Sequence, residues 1–171
     1  MAGSGGICSG GLLPVMDPKT REGPGAHVHP PVVYLAAMLI GVGLNCLWRI
    51  SLLPGRWGVV AGIVTIAAGI AIMPPVLRGF YRAGTTFDVR KPASALIVDG
   101  PYRFSRNPAY VALTLWYLGA GLILNSGWIL FLGLPLLVFM DRWVVHKEER
   151  HLQARFGEQY VRYQATVRRW L

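Results

Sequence analysis

The sequence predicts an all-α integral membrane protein with four transmembrane helices, the last two a tight hairpin, followed by a C-terminal amphipathic cytoplasmic helix. Three observations predict it. Apolar residues make up 53% of the 171 residues and charged residues only 15%, about ten points below an average soluble protein. The apolar residues gather in four runs. The basic residues behind the net charge of +9 fall almost wholly on one side of those runs. The composition excludes a disordered chain, which is poor in apolar and rich in charged residues. Two cysteines, Cys8 and Cys46, make no disulfide framework. A basic balance also suits nucleic acid, but in so apolar a chain it points to basic loops on one membrane face, so no nucleic-acid partner is expected.

Residues 1–31 are rich in Gly, Pro and Ser and read as a flexible tail, without the basic and apolar regions of a signal peptide. His27 and His29 lie in this tail, and a lone pair is too few ligands to predict a metal site. Val32–Trp48 is an uncharged run of 17 residues closed by Arg49, and Trp57–Leu77 one of 21. Pro108–Leu124 has 17, and Gly127–Met140 has 14 with the pattern carried on to Val145. Roughly 20 apolar residues span the hydrocarbon core. The spans are therefore placed at about 32–50, 57–77, 108–124 and 127–145, with cytoplasmic segments 78–107 and 146–171. Asn125-Ser126-Gly127 is the hairpin turn. Pro74 and Pro75 are expected to end or kink the second helix, and Pro135 to kink the fourth. Gly41, Gly43, Gly62 and Gly69 offer small surfaces for close helix contact.

With four spans, the tail, the 78–107 segment and the C-terminal segment share one side. Fifteen of the 17 Lys and Arg residues lie there, and only Arg49 and Arg56 lie opposite. This asymmetry predicts both termini in the cytoplasm. All eight acids fall on the same side, so the polar chemistry is expected at the cytoplasmic face.

Two cytoplasmic stretches carry candidate chemistry. Asp99-Gly100-Pro101 is a turn, Asn107 is an N-cap residue and Pro108 suits the first helical position. The third helix thus starts beside Arg103 and Arg106, where free N–H groups and guanidinium forks suit a carboxylate or phosphate. Interfacial arginines facing lipid phosphates are the alternative reading. In the second stretch, Glu148, Leu152, Phe156 and Tyr160 share one face of a helix, extended by Tyr163 and Val167. Glu148 and Glu149 would then point into the protein–membrane boundary and need partners, with Arg103 or Arg106, or a bound cation, as candidates.

These residues carry a resemblance. Gly100-Pro101-Tyr102-Arg103, Arg106-Asn107-Pro108-x-Tyr110, a helical hairpin, then Glu148-Glu149-x-x-Leu152-x-x-x-Phe156-Gly157-x-x-Tyr160-x-x-Tyr163 resemble the isoprenylcysteine carboxyl methyltransferases, themselves similar to the phospholipid methyltransferases. Arg78-Gly79-Phe80 and Ala83-Gly84-Thr85 resemble bacterial members, which implies an inner-membrane location. The likeness covers about residues 76–171.

The resemblance implies S-adenosyl-L-methionine as methyl donor, bound without a Rossmann domain. It implies a pocket lined by Ser94, Ala95, Leu96, Ile97, Tyr102, Asn107, Pro108, Ala109 and Tyr110 and completed by Glu148. Aromatic and aliphatic walls suit the adenine and sulfonium, and Glu148 suits the ribose hydroxyls or the ammonium. Arg103, Arg106, Arg142 and Glu149 are left as substrate or charge partners, and no catalytic base is assigned. Two positions depart from the family pattern. Asn107 stands where many members have His, and Val144 stands where the carboxyl methyltransferases have a basic residue, with Arg142 two positions away. The acceptor, drawn from the membrane lipids or another lipophilic small molecule, therefore stays open among a lipid amine, a thiol and an amphipathic carboxylate. A small four-span transporter or a non-catalytic assembly protein is the alternative, although no acid lies between Glu22 and Asp88 to couple protons in the first two spans.

Overall fold

A computed structural model describes residues 29–53, 56–84 and 95–171. The expected tail over 1–28, with His27, and the expected pocket residue Ser94 lie outside the described residues. The described chain is helical with no strand. Helix α1 is Pro30–Leu47 and α2 is Trp57–Arg82. A 3-10 turn at Gly100–Arg103 leads to α3, Pro108–Ile123. Then α4, Gly127–Phe139, passes through a π-helical turn at Met140–Val145 into α5, His146–Phe156, and α6 is Glu158–Thr166.

Among the described residues, three helices are long and apolar enough to cross a membrane: α1, α2 and the continuous 30-residue rod Gly127–Phe156. The third expected span, α3, has 16 residues. At the α-helical rise it extends only about 24 Å, less than the roughly 30 Å hydrocarbon core. It is also the most enclosed helix, with α1, α2 and α4 all packed against it. Two expectations change. The prolines at 74 and 75 do not end α2, which runs on to Arg82. The single helix expected beyond His146 is two helices, because Gly157 takes φ 53 and turns the chain there. Left-handed backbone is open to glycine at little steric cost, so the break sits where the sequence offers one.

Small residues set the helix spacing. A Cβ at Gly62 would lie 2.5 Å from the Gly119 carbonyl oxygen and 2.5 Å from Ile123. One at Gly69 would lie 2.6 Å from the Trp116 ring, and one at Gly41 2.7 Å from Ile129. Gly43, in contrast, faces open space. Helices in lipid associate by such close packing, since apolar burial gives no advantage over lipid tails. Ile129 is fully buried between α1 and α3, and its carbonyl accepts the Tyr117 hydroxyl at 2.7 Å.

The hairpin turn also ties down the α1–α2 connection. Asn125, with φ 46, accepts from the Leu52 and Leu53 N–H groups at 3.0 Å each and donates to the Leu53 carbonyl at 2.7 Å. Gly127 N–H donates to the Ile50 carbonyl at 2.7 Å, and the Trp128 indole to the Trp48 carbonyl at 2.6 Å. Backbone groups near the membrane thereby find partners within the protein, as a low-dielectric surrounding demands.

Gly62→Ala is expected to force α2 and α3 apart and lower stability by about 1–3 kcal/mol, the scale of overpacking. Thermal unfolding in detergent checks it, with Gly43→Ala as the companion substitution that should leave the midpoint in place, because its Cβ meets nothing within 4 Å.

Candidate functional site

Three elements converge at the end of the bundle that holds the acids: the 95–107 segment, the start of α3, and α5–α6 with the chain that follows. The 95–103 segment lies on the last turns of α2. Ile97 packs 3.4 Å from where Gly79 would carry a Cβ, and the Tyr102 ring meets Phe80 edge-on with centroids 6.2 Å apart. Ala95, Leu96 and Ile97 are half-buried there. Asn107, Pro108, Ala109 and Tyr110 are buried at the start of α3.

The Tyr110 hydroxyl donates to a Glu148 carboxylate oxygen at 2.6 Å, joining the first turn of α3 to α5. Among the described residues no cation stands within ion-pair range of Glu148. Burial raises the Tyr102 phenol well above its ordinary range, helped by nearby Tyr163 and Glu148. Tyr163 is raised too, chiefly by burial, and its hydroxyl donates to the Tyr102 carbonyl at 2.7 Å. These phenols are therefore neutral hydroxyls at physiological pH, suited to donate hydrogen bonds and to present ring faces.

Glu149 has a different environment. Its carboxylate receives Arg106 at 2.9 Å and the Arg169 fork at 2.7 and 3.2 Å. The glutamate side chain is 7% exposed and that of Arg106 12%. Arg169 also reaches Asp141 at 3.4 Å, and the Trp170 indole donates to Asp141 at 2.8 Å. The Glu149 hydrogen bond holds the Arg169 guanidinium protonated, above its ordinary range. Burial and Glu149 together push Tyr160 up to about 12, against the opposing pull of Arg106.

The backbone completes the enclosure. Arg106 N–H donates to the Arg168 carbonyl at 2.9 Å, and the Asn107 amide donates to the Arg169 carbonyl at 3.0 Å. This corrects the expected capping role of Asn107, whose side chain makes no cap bond to α3 and holds the 167–171 segment instead. Pro108 does occupy the first helical turn.

The structure brings together Tyr102, Tyr110 and Glu148, and separately Arg106 with Glu149. Arg103 is exposed and takes no part in that cluster. Arg142, its side chain 78% exposed, stands outside it as well, with Asp141 as its neighbour at 3.8 Å. Val144 is 2% exposed in the core. Arg142 borders a groove of about 530 Å³ between α3 and the α4 rod, lined mainly by Val111, Leu115, Leu118 and Leu137. Sequence reading missed Asp141, Arg169 and Trp170. The lone acid just inside an apolar run was the available signal for the first, since a carboxylate there needs a partner.

The sequence pattern of the phospholipid methyltransferase family matches residues 57–159, which includes α2 as well as the motifs further on. Protein-S-isoprenylcysteine O-methyltransferase of Schizosaccharomyces pombe is 31% identical over 111 residues, covering 60% of this chain and 47% of that protein. This chain thus spans about half the length of that relative. An uncharacterized protein of Haemophilus influenzae is 38% identical over 63 residues, 32% of this chain and 98% of its own length.

Glu149→Ala would strand Arg106 and Arg169 together. The expected loss is about 3 kcal/mol, the low end for breaking a buried pair because Arg169 is one-third exposed to screening solvent. Thermal unfolding in detergent measures it. Arg162→Ala, which breaks the exposed Glu158 pair, should leave the midpoint unchanged.

Proposed function

The chain belongs to the phospholipid methyltransferase family, and from that membership we propose that it is a membrane methyltransferase using S-adenosyl-L-methionine and a lipophilic acceptor. One observation carries the cofactor reading: Glu148, fixed by the Tyr110 hydroxyl and near Tyr102, with no protein cation among the described residues to neutralise it. A carboxylate so placed suits a ligand that brings a positive charge and hydroxyls, and aromatic faces suit a sulfonium and an adenine. The chemistry of the residues therefore fits this donor.

When bound, S-adenosylmethionine supplies an electrophilic methyl group that an acceptor lone pair displaces from sulfur, the bonding pair leaving with the sulfur. The chain's residues have to hold donor and acceptor in line and exclude water, which makes positioning the main contribution. Leu96, Ile97, Tyr102 and Tyr110 form the apolar walls, and Asn107, Pro108 and Ala109 supply the α3 start. Glu148 would hold the ribose hydroxyls or the ammonium. Ala95 continues the wall, and Ser94, outside the described residues, is kept as a cofactor-binding residue on the family resemblance alone. Arg103 and Arg142, both exposed, face lipid phosphates or the acceptor headgroup.

In this reading residues 32–171 form the transferase domain. The short α3 is a fourth crossing, shielded from lipid by α1, α2 and α4. The basic face is cytoplasmic with both termini, in a bacterial inner membrane. An isoprenylcysteine-like carboxylate, a thiol and a lipid amine are the acceptor classes. Val144 in place of a basic residue argues for the last two.

Isothermal titration of S-adenosylhomocysteine into detergent-purified protein tests the reading. Binding is expected, with Glu148→Ala weakening it roughly tenfold or more and Tyr110→Phe by a smaller factor, the scale of charge-assisted hydrogen bonds. A folded protein that does not bind, or binds equally well without Glu148, would sink it.

A further inference from the structure

We propose that Arg169 is a positioning residue of this site, and that its guanidinium sets the direction of Glu148 without touching the ligand. The inference rests on the cofactor reading above. Arg169 is bonded to both walls at once. Its carbonyl receives the Asn107 amide at 3.0 Å and the Ser105 hydroxyl at 3.4 Å, at the start of α3. Its guanidinium grips Glu149 at 2.7 and 3.2 Å and Asp141 at 3.4 Å, on the α4–α5 rod.

The rod is shaped to accept that grip. Asp141 and Glu149 are eight positions apart, which in a regular α-helix leaves them about 80° apart around the axis. A π turn adds one residue to the helical count, taking back about 100° and leaving the two acids within about 20° of each other. The π-helical turn, Met140–Val145, begins just before Asp141 and runs from it toward Glu149, where the correction is needed. One planar guanidinium then bridges both, which an ammonium on a single point contact does not reproduce.

Fixing two acids on one face fixes the rotation of α5. Glu148, one position before Glu149, is thereby turned about 100° away from the cluster, toward the Tyr110 hydroxyl. Arg106 alone does not do this, because it meets Glu149 and not Asp141. Without Arg169, Asp141 keeps the Trp170 indole and a distant, solvent-exposed Arg142, and the rotational constraint is lost.

The test is titration of S-adenosylhomocysteine into the full chain in detergent, for the unchanged protein, Arg169→Gln, Glu148→Gln and the double variant, with thermal unfolding alongside. Arg169→Gln is expected to weaken binding about tenfold, the scale of one charge-assisted hydrogen bond. Added to Glu148→Gln it should cost no further affinity, since it acts through that carboxylate, and such non-additivity is the mark of coupled groups. A purely structural role would instead give additive losses. Should Arg169→Gln not fold, Arg169→Lys serves, with the melting temperature expected to recover more fully than the affinity. Additive losses, or unchanged affinity in both Arg169 variants, overturn the proposal alone. No binding by the unchanged protein overturns the cofactor reading and this proposal with it.

Discussion

The buried carboxylate of Glu149 is the constraint around which the acidic end of this molecule is arranged. A 7% exposed charge next to a membrane is tolerable only with partners, and two arginines from distant parts of the chain supply them. Arg106 comes from the approach to α3, and Arg169 from the segment that follows α6. To reach Glu149, Arg169 has to cross the start of α3, and its carbonyl and that of Arg168 take hydrogen bonds there. The 3-10 turn is tied in through the Tyr163 hydroxyl. Desolvation of one side chain thus dictates the path of three segments.

At the other end of the bundle the demands are met by uncharged groups rather than by charge. Few charged residues lie there, so the α1–α2 connection uses the Asn125 amide, the Trp128 indole and the Gly127 N–H to satisfy its polar groups. Between the ends, glycines let α2 approach α3 closely enough for Cβ atoms to be excluded. The two solutions match the two environments. Charge clusters near the aqueous face, where residual solvent and guanidinium forks moderate its desolvation, and uncharged donors serve elsewhere.

The candidate site lies where helix ends meet rather than in a separate cofactor domain. The same α5 turn carries one glutamate committed to arginines and one that, among the described residues, is held by a tyrosine. Neighbouring carboxylates thus have different surroundings: Glu149 is held by Arg106 and Arg169, and Glu148 accepts the Tyr110 hydroxyl. The methyltransferase family match runs from α2 to the break after α5 and so takes in both walls. The partnering of Arg169 and Trp170 lies beyond the matched residues.

Much of this was legible in the sequence. Helix formation follows from long uncharged runs, the hairpin from Asn125-Ser126-Gly127, and the pairing of Arg106 with an α5 acid from the need to neutralise a buried carboxylate. The ordered motifs also led to the family. What the residues did not reveal was rotation and long-range return. Helical periodicity predicted a single stripe from Glu148 to Val167, but Gly157 redirects the chain, and periodicity carries no information across such a break. Asn107 looked like a cap because local preference is all a sequence shows, whereas its amide is taken by a carbonyl 62 positions away. The π turn left no mark in the apolar pattern. Sequence by itself determined which segments are helical and which face carries charge, because both depend on local composition. Only the tertiary structure decided which acid is neutralised and which stays open, because that depends on which arginine the folded chain brings within 3 Å.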